Sequence, residues 1–153
     1  MKSLAQTTRS ASRTFAAAQG SKRDSALNAL RQQLEAREGE ILEANQRDLK
    51  AAEENGLEAP LLARLKLTSS KLKGLQDGIK QLIEQGDPIG SPIRKTQLDD
   101  GLILTQVTSP LGVLLVIFES RPDAVIQIGG LALRTGNGLI LKGGREAKHS
   151  NAV

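Results

Sequence analysis

Gly112-Val-Leu-Leu-Val-Ile-Phe118 runs straight into Glu119-Ser-Arg-Pro-Asp123, and Gly138-Leu-Ile-Leu-Lys142 runs straight into Gly143-Gly-Arg-Glu-Ala147. Both apolar runs are of strand length and carry apolar residues at successive positions, so they read as strands covered on both faces, the pattern of a parallel sheet. Between them, Pro122 suits a first helical turn and Asp123 suits the positive end of a helix dipole. Val125, Ile128, Leu131 and Leu133 are expected to face inward on that helix, and Gly136 to end it. Arg145-Glu146-Ala147 opens a further helix, expected to continue to Val153. Strand, helix, strand, turn and helix at this spacing make a βαβ unit.

Open α/β sheets bind ligands at the carboxyl ends of their strands. Two turns lie there. Lys142-Gly143-Gly144-Arg145 combines two glycines, which let other groups approach the backbone, with two cations suited to a ribose or a 2′-phosphate. The same spacing also suits a plain strand-to-helix turn with two surface cations, and spacing alone does not choose. The turn is neither a Walker A loop nor a GxGxxG fingerprint, because Leu141 stands where the third glycine would fall. Glu119-Ser120-Arg121-Pro122 belongs on the same sheet edge. There Ser120 or Asp123 is expected to cap the helix, which leaves Glu119 and Arg121 free to line a pocket.

Toward the N-terminus, Ile93 to Leu98 and Leu102 to Val107 read as two strands joined around Asp99-Asp100-Gly101, a hairpin signal. The first ninety residues read as helices. The expected spans are Ala5 to Gln19, a helix capped by Ser21 with Asp24 beside it, Glu40 to Glu54, Pro60 to Leu67, and Ser69 or Ser70 to Gln85. Leu4, Ala11 and Phe15 are expected to dock the first of these. Leu72, Leu75, Ile79, Leu82 and Ile83 form an apolar stripe on the last. The charged side chains on these helices read as solvated faces without a function.

Composition removes several function classes. The 153 residues contain no cysteine and one histidine, so disulfides, a cysteine nucleophile and a Cys/His metal site are absent from this sequence. His149 reads as a surface residue. The net charge is +4, yet Phe15 and Phe118 are the only aromatics, which leaves little for a base to stack on, and no nucleic acid is expected as a partner. No apolar run approaches the roughly 18 residues of a membrane span. Residues 1–23 carry Lys2, Arg9, Arg13, Lys22 and Arg23 before the first acid, in the manner of a transit peptide. The helical reading is preferred there, and a cytoplasmic setting is expected.

Pro110 to Asp123, Thr135-Gly-Asn137, Leu141-Lys-Gly-Gly-Arg-Glu-Ala147-Lys-His-Ser-Asn151, Ile41-Leu-Glu-Ala-Asn-Gln-Arg-Asp-Leu49 and Leu62 to Leu67 together resemble the gamma-glutamyl phosphate reductase family, also called glutamate-5-semialdehyde dehydrogenases, of the aldehyde dehydrogenase superfamily. The resemblance runs from about residue 4 to residue 153. It implies an α/β, aldehyde dehydrogenase-like fold: a helical segment over 1–90, an oligomerisation-type hairpin over 91–109, and over 110–153 the start of a Rossmann-type NADP-binding domain. The implied activity is NADPH-dependent reduction of L-glutamyl 5-phosphate to L-glutamate 5-semialdehyde and phosphate in proline biosynthesis. In that chemistry a cysteine attacks the acyl phosphate and hydride reduces the thioester. That cysteine lies downstream in the family, so this chain reads as an N-terminal part with no catalytic residue of its own.

Carried over by position, Lys142, Gly143, Gly144 and Arg145 would meet the cofactor, Lys142 at the adenosine ribose and Arg145 at its 2′ substituent. Glu119, Ser120, Arg121 and Pro122 would border the substrate or nicotinamide pocket. Ser120 stands where most aldehyde dehydrogenases have an oxyanion-binding Asn. Arg121 stands where it could hold the substrate's phosphate or carboxylate. A homo-oligomer and a reductase not fused behind a kinase are further expectations. The other reading is a non-catalytic nucleotide-binding or interaction module built from the same fold.

Overall fold

The computed structural model describes Lys2–Val153 as a mixed α/β chain. Helices α1 (Lys2–Ala16), α2 (Gly20–Ala36), α3 (Glu38–Glu54), α4 (Ala59–Leu65) and α5 (Ser69–Glu84) come first. Strands β1 (Pro92–Asp99) and β2 (Leu102–Val107) follow, then β3 (Val113–Ile117), α6 (Asp123–Thr135), β4 (Gly138–Lys142) and a 3₁₀ turn over Arg145–Ala147. Strands β3 and β4 pair in parallel in unbroken register, from Val113 opposite Gly138 to Ile117 opposite Lys142. The strand–helix–strand expected from the apolar runs is therefore formed, and both turns leave from the same sheet edge.

The main core is the apolar stripe of α5 closed by α2 and α6. Leu27, Leu34, Leu72, Leu75 and Ile79 are buried together, with Ile126 and Leu133 of α6 packed against them. Gly130 makes the close α5–α6 approach possible, since a β-carbon there would sit 3.3 Å from Leu82 Cδ1. A second cluster, Ala52, Leu65 and Ala147, joins α3 and α4 to the 3₁₀ turn. Helix α3 ends as expected at Asn55, with Gly56 at a φ of +70°. Thr68 caps α5 by accepting the Lys71 N–H at 3.2 Å.

The hairpin stands apart from this core. Its strands pair antiparallel with two register irregularities and turn at Gly101, whose φ is +76°. Ile93, Leu98, Leu102, Ile103, Leu104 and Val107 are all exposed.

Several local expectations are corrected. Helix α1 starts at Lys2 and ends at Ala16, and the residues turned toward β4 are Thr8 and Ser12. Leu4 and Ala11 are exposed, because the face of α1 turned to Gly138 carries Thr8 and Ser12. Ser21 lies inside α2, whose N-cap position is Gln19 with no side-chain cap. Asp24 instead pairs with Arg134 across 110 residues. Neither Ser120 nor Asp123 caps α6, whose N-cap position is Pro122. The buried positions of α6 are Ala124, Gly130, Ala132 and Arg134, while Leu131 is exposed. Strand β3 is uncovered on one face, with Leu115 60% and Ile117 66% exposed. After the 3₁₀ turn, residues 148–152 continue as turns and not as the helix expected.

The charged faces of the helices are not all solvated. Arg23 (2% exposed) donates to the carbonyls of Phe15, Ala16 and Ala18 and pairs with Asp87 at 2.5 Å. Arg134, also buried, donates to the Ile83 carbonyl besides Asp24. A buried guanidinium is tolerated only when acceptors surround it, and helix-end carbonyls supply them here.

Candidate functional site

The site begins with the strand register. Ile117 and Lys142 are partners, and the Phe118 N–H donates to the Lys142 carbonyl at 3.1 Å. That bond extends the parallel pairing one step beyond β3 and delivers residues 119–122 beside residues 143–146. A side-chain bridge then locks the two turns. The Ser120 N–H donates to Glu146 Oε1, and the Ser120 hydroxyl points at the same oxygen from 3.3 Å.

Ser120 is 1% exposed and has a φ of +52°. A non-glycine residue held there stores roughly 1 kcal/mol or more of backbone strain, which its surroundings must outweigh. The Glu146 carboxylate is what holds it. In the sequence Glu146 stands only in the opening of an expected helix; the tertiary fold brings it to Ser120.

Lys142 and Arg145 are exposed at this edge, and among the described residues neither has an ion-pair partner. Gly143 and Gly144 lie close under the chain's own side chains. A β-carbon on Gly144 would overlap the Glu146 carboxylate, and one on Gly143 would overlap Asn151 and press on the Phe118 ring. Glu119 is exposed. Pro122 is buried and lines a cavity of about 280 Å³ with Leu34, Leu72 and Leu75. Arg145 and Arg121 face different places: Arg145 lines a groove toward α3 with Asp48 and Asn55, whereas Arg121 lines one toward α4 and α5.

The turn after Ala147 is held from below by two residues of α3. Asp48 (2% exposed) accepts the backbone N–H of His149 at 2.9 Å, that of Ser150 at 2.7 Å and the Ser150 hydroxyl at 2.6 Å. Asn45 donates to Ser150 Oγ at 3.1 Å and to the Leu65 carbonyl at 2.9 Å, and accepts the Leu67 N–H at 2.8 Å. One helix thereby fixes both the α4–α5 junction and the end of the Lys142–Arg145 loop. Asn137 does the same for the opposite edge: its side-chain oxygen accepts the Gly112 N–H at 2.9 Å, where the Gly138 N–H meets the Gly112 carbonyl. Helical spacing gave a weak signal for this set. Asn45 and Asp48 follow buried Ala44 at i+1 and i+4, on a face that apolar periodicity alone does not extend.

Asp87 has a displaced titration. Partial burial raises its carboxyl, but the Ile89 N–H, the Arg23 hydrogen bond and the charges of Arg23 and Arg134 outweigh that, and it sits below the ordinary 3.8. This group lies away from the sheet edge and serves the helix packing.

No helix among the described residues is long and apolar enough to cross a membrane.

No family model matches the chain. A gamma-glutamyl phosphate reductase from Cyanothece is 50% identical over 147 residues, which cover 96% of this chain and 34% of the relative. Delta-1-pyrroline-5-carboxylate synthase B of Arabidopsis thaliana is 46% identical over 150 residues, 98% of this chain and 21% of that protein. The crystal structure of gamma-glutamyl phosphate reductase from Saccharomyces cerevisiae superposes with a TM-score of 0.94 at 41% identity, over 97% of this chain and 38% of its own. The chain spans about a third of the length of the reductases it matches. Over that third, in sequence and in fold, it is similar to gamma-glutamyl phosphate reductases.

Proposed function

We propose that this chain contributes the N-terminal third of an NADPH-dependent reductase that converts L-glutamyl 5-phosphate to L-glutamate 5-semialdehyde in proline biosynthesis. The balanced reaction consumes acyl phosphate, NADPH and a proton and yields aldehyde, NADP⁺ and phosphate. One observation carries this reading beyond the family match: the turn 119–122 and the turn 142–146 are brought to one sheet edge and bridged by Glu146. The aldehyde dehydrogenase-like topology, with the β3–α6–β4 unit opening a Rossmann-type cofactor domain over 110–153 after a helical segment and a hairpin, is part of the same proposal.

The residues present fit a dinucleotide phosphate. Lys142 and Arg145 are exposed cations without ion-pair partners among the described residues, at the strand ends where such ligands bind. Lys142 would hold the adenosine ribose and Arg145 its 2′-phosphate, with Gly143 and Gly144 shaping the turn between them. The cofactor supplies hydride when bound. This chain's own part is to bind and orient. Glu119, Ser120, Arg121 and Pro122 would border the pocket that takes the acyl group. In the geometry observed, the Ser120 hydroxyl and N–H are turned to Glu146, so an oxyanion role for Ser120 requires that bridge to open. The 153 residues hold no cysteine, so the nucleophile comes from outside them.

The test is kinetic, on the reductase encoded by the whole reading frame that contains this chain. Lys142→Ala should raise the KM for NADPH about tenfold, roughly 1.4 kcal/mol of binding, and change the KM for the acyl phosphate little. Unchanged NADPH kinetics would remove the cofactor assignment.

A further inference from the structure

Arg64 in the last turn of α4, Lys71 in the first turn of α5 and Arg121 in the turn after β3 come from three elements, and all three line one groove of about 590 Å³ together with Ala63 and Asp123. Asp123 is the only acid in that lining, and it is already engaged, by Arg121 Nη2 at 3.1 Å and Gln127 Nε2 at 3.3 Å. Lys71 Nζ donates to the Lys66 carbonyl and keeps its other two donors. Arg64 has no ion-pair partner among the described residues. Three cations against one acid leave a formal excess of two positive charges in a concave site.

Like charges gathered in one groove repel. Surface cations on a helix ordinarily spread apart or alternate with acids. Here the tertiary fold converges them, and on the side from which Arg121 leads back by one residue to Ser120. An anion with more than one charge would relieve the repulsion, and a guanidinium fork is shaped for the paired oxygens of a carboxylate or phosphoryl group.

We infer that Arg64 and Lys71, with Arg121, form the anion subsite that receives the charged oxygens of the substrate, drawing the α4–α5 junction into substrate recognition. The inference rests on the reductase reading for the identity of that substrate, a carbon chain bearing a carboxylate at one end and a phosphoryl group at the other.

Steady-state kinetics of the reductase encoded by the whole reading frame test it with Arg64→Gln, Lys71→Gln and Arg64→Lys. Each Gln variant should raise the KM for L-glutamyl 5-phosphate about tenfold, leave the KM for NADPH alone and hold kcat within about threefold of the parent. Arg64→Lys should recover part of the loss, which a folding defect would not. Run in reverse with inorganic phosphate and the semialdehyde, a raised KM for phosphate assigns the phosphoryl end to the groove, and a raised KM for the semialdehyde assigns the carboxylate. Unchanged KM values in both directions would overturn the subsite while leaving the reductase reading intact. A parent enzyme without reductase activity would overturn that reading instead. In that case ³¹P line broadening of inorganic phosphate decides the groove: broadening lost in the Arg64→Gln/Lys71→Gln double variant supports an anion site, and broadening that persists removes it.

Discussion

Ser120 carries its positive φ because Glu146 rewards it. Replacing it with alanine should cost less than about 1 kcal/mol, since the 3.3 Å hydroxyl contact is long and the backbone bond to Glu146 survives. Valine should cost roughly 2 kcal/mol or more, because a β-branched side chain disfavours that φ. Urea denaturation of the two variants checks the difference, and equal costs would mean that the backbone angle is not the constraint. Asp48 is the other residue on which much converges. Asp48→Ala leaves two partly buried backbone N–H groups and the Ser150 hydroxyl without their acceptor, at about 1–3 kcal/mol. Amide exchange at His149 and Ser150 should quicken before exchange in α2 or α5 does. Exchange accelerated evenly across the chain would mean that Asp48 supports the whole core and not this turn.

Between elements, the decisive contacts are made by small and charged residues. Helix α1 lies on β4 through Thr8 and Ser12, and a β-carbon on Gly138 would come within 2.9 Å of Thr8 Cγ2 and 3.1 Å of Ser12 Cβ. Gly138→Ala should therefore destabilise by about 1–3 kcal/mol, and Thr8→Ser in the same chain should restore part of it; calorimetry of the single and double variants measures the coupling. Arg23 and Asp87 tie the end of α1 and the start of α2 to the segment after α5. Asp87 holds its proton less tightly when folded than its ordinary 3.8. Its contribution to stability is therefore complete above that value and is lost as pH falls through the lower, folded one. Asp87→Asn should be less stable at neutral pH and should lose less stability than the parent on acidification below about pH 4. A parallel decline of both proteins would show that the pair does not govern acid stability.

At the scale of the whole molecule, the surface is unevenly finished. Ile93, Leu102, Ile103 and Leu104 on the hairpin and Leu111, Leu115 and Ile117 around β3 are all more than half exposed, and the two-stranded parallel sheet has both edges open. Contiguous apolar surface and unpaired strand edges promote association. The 153-residue chain produced by itself should self-associate at micromolar concentration, as sedimentation velocity would reveal. A monodisperse monomer with a cooperative melt would refute this.

The apolar runs at 112–118 and 138–142, the Asp99-Asp100-Gly101 turn and the Leu72–Ile83 stripe determined strands, hairpin and helix without help from the rest of the molecule. Their information is local: periodicity of 2 or 3.6 residues and the φ preferences of Gly and Pro are written into short stretches. The two turns at the sheet edge were legible for the same reason, since a parallel strand dictates where its carboxyl end lies. What the tertiary structure decided is which polar side chains leave solvent. Arg23, Arg134, Asn45, Asp48 and Glu146 look like neighbours' equals on any helical face, and each is distinguished only by a partner 20 or more residues away, apart from the nearby carbonyls that Arg23 also meets. Burial of a charge is decided by the acceptors that surround it in space, and no window of sequence contains them. The sequence by itself thus determined the frame of the two turns, while the fold chose the side chains that hold them in place and gathered Arg64 and Lys71 beside Arg121.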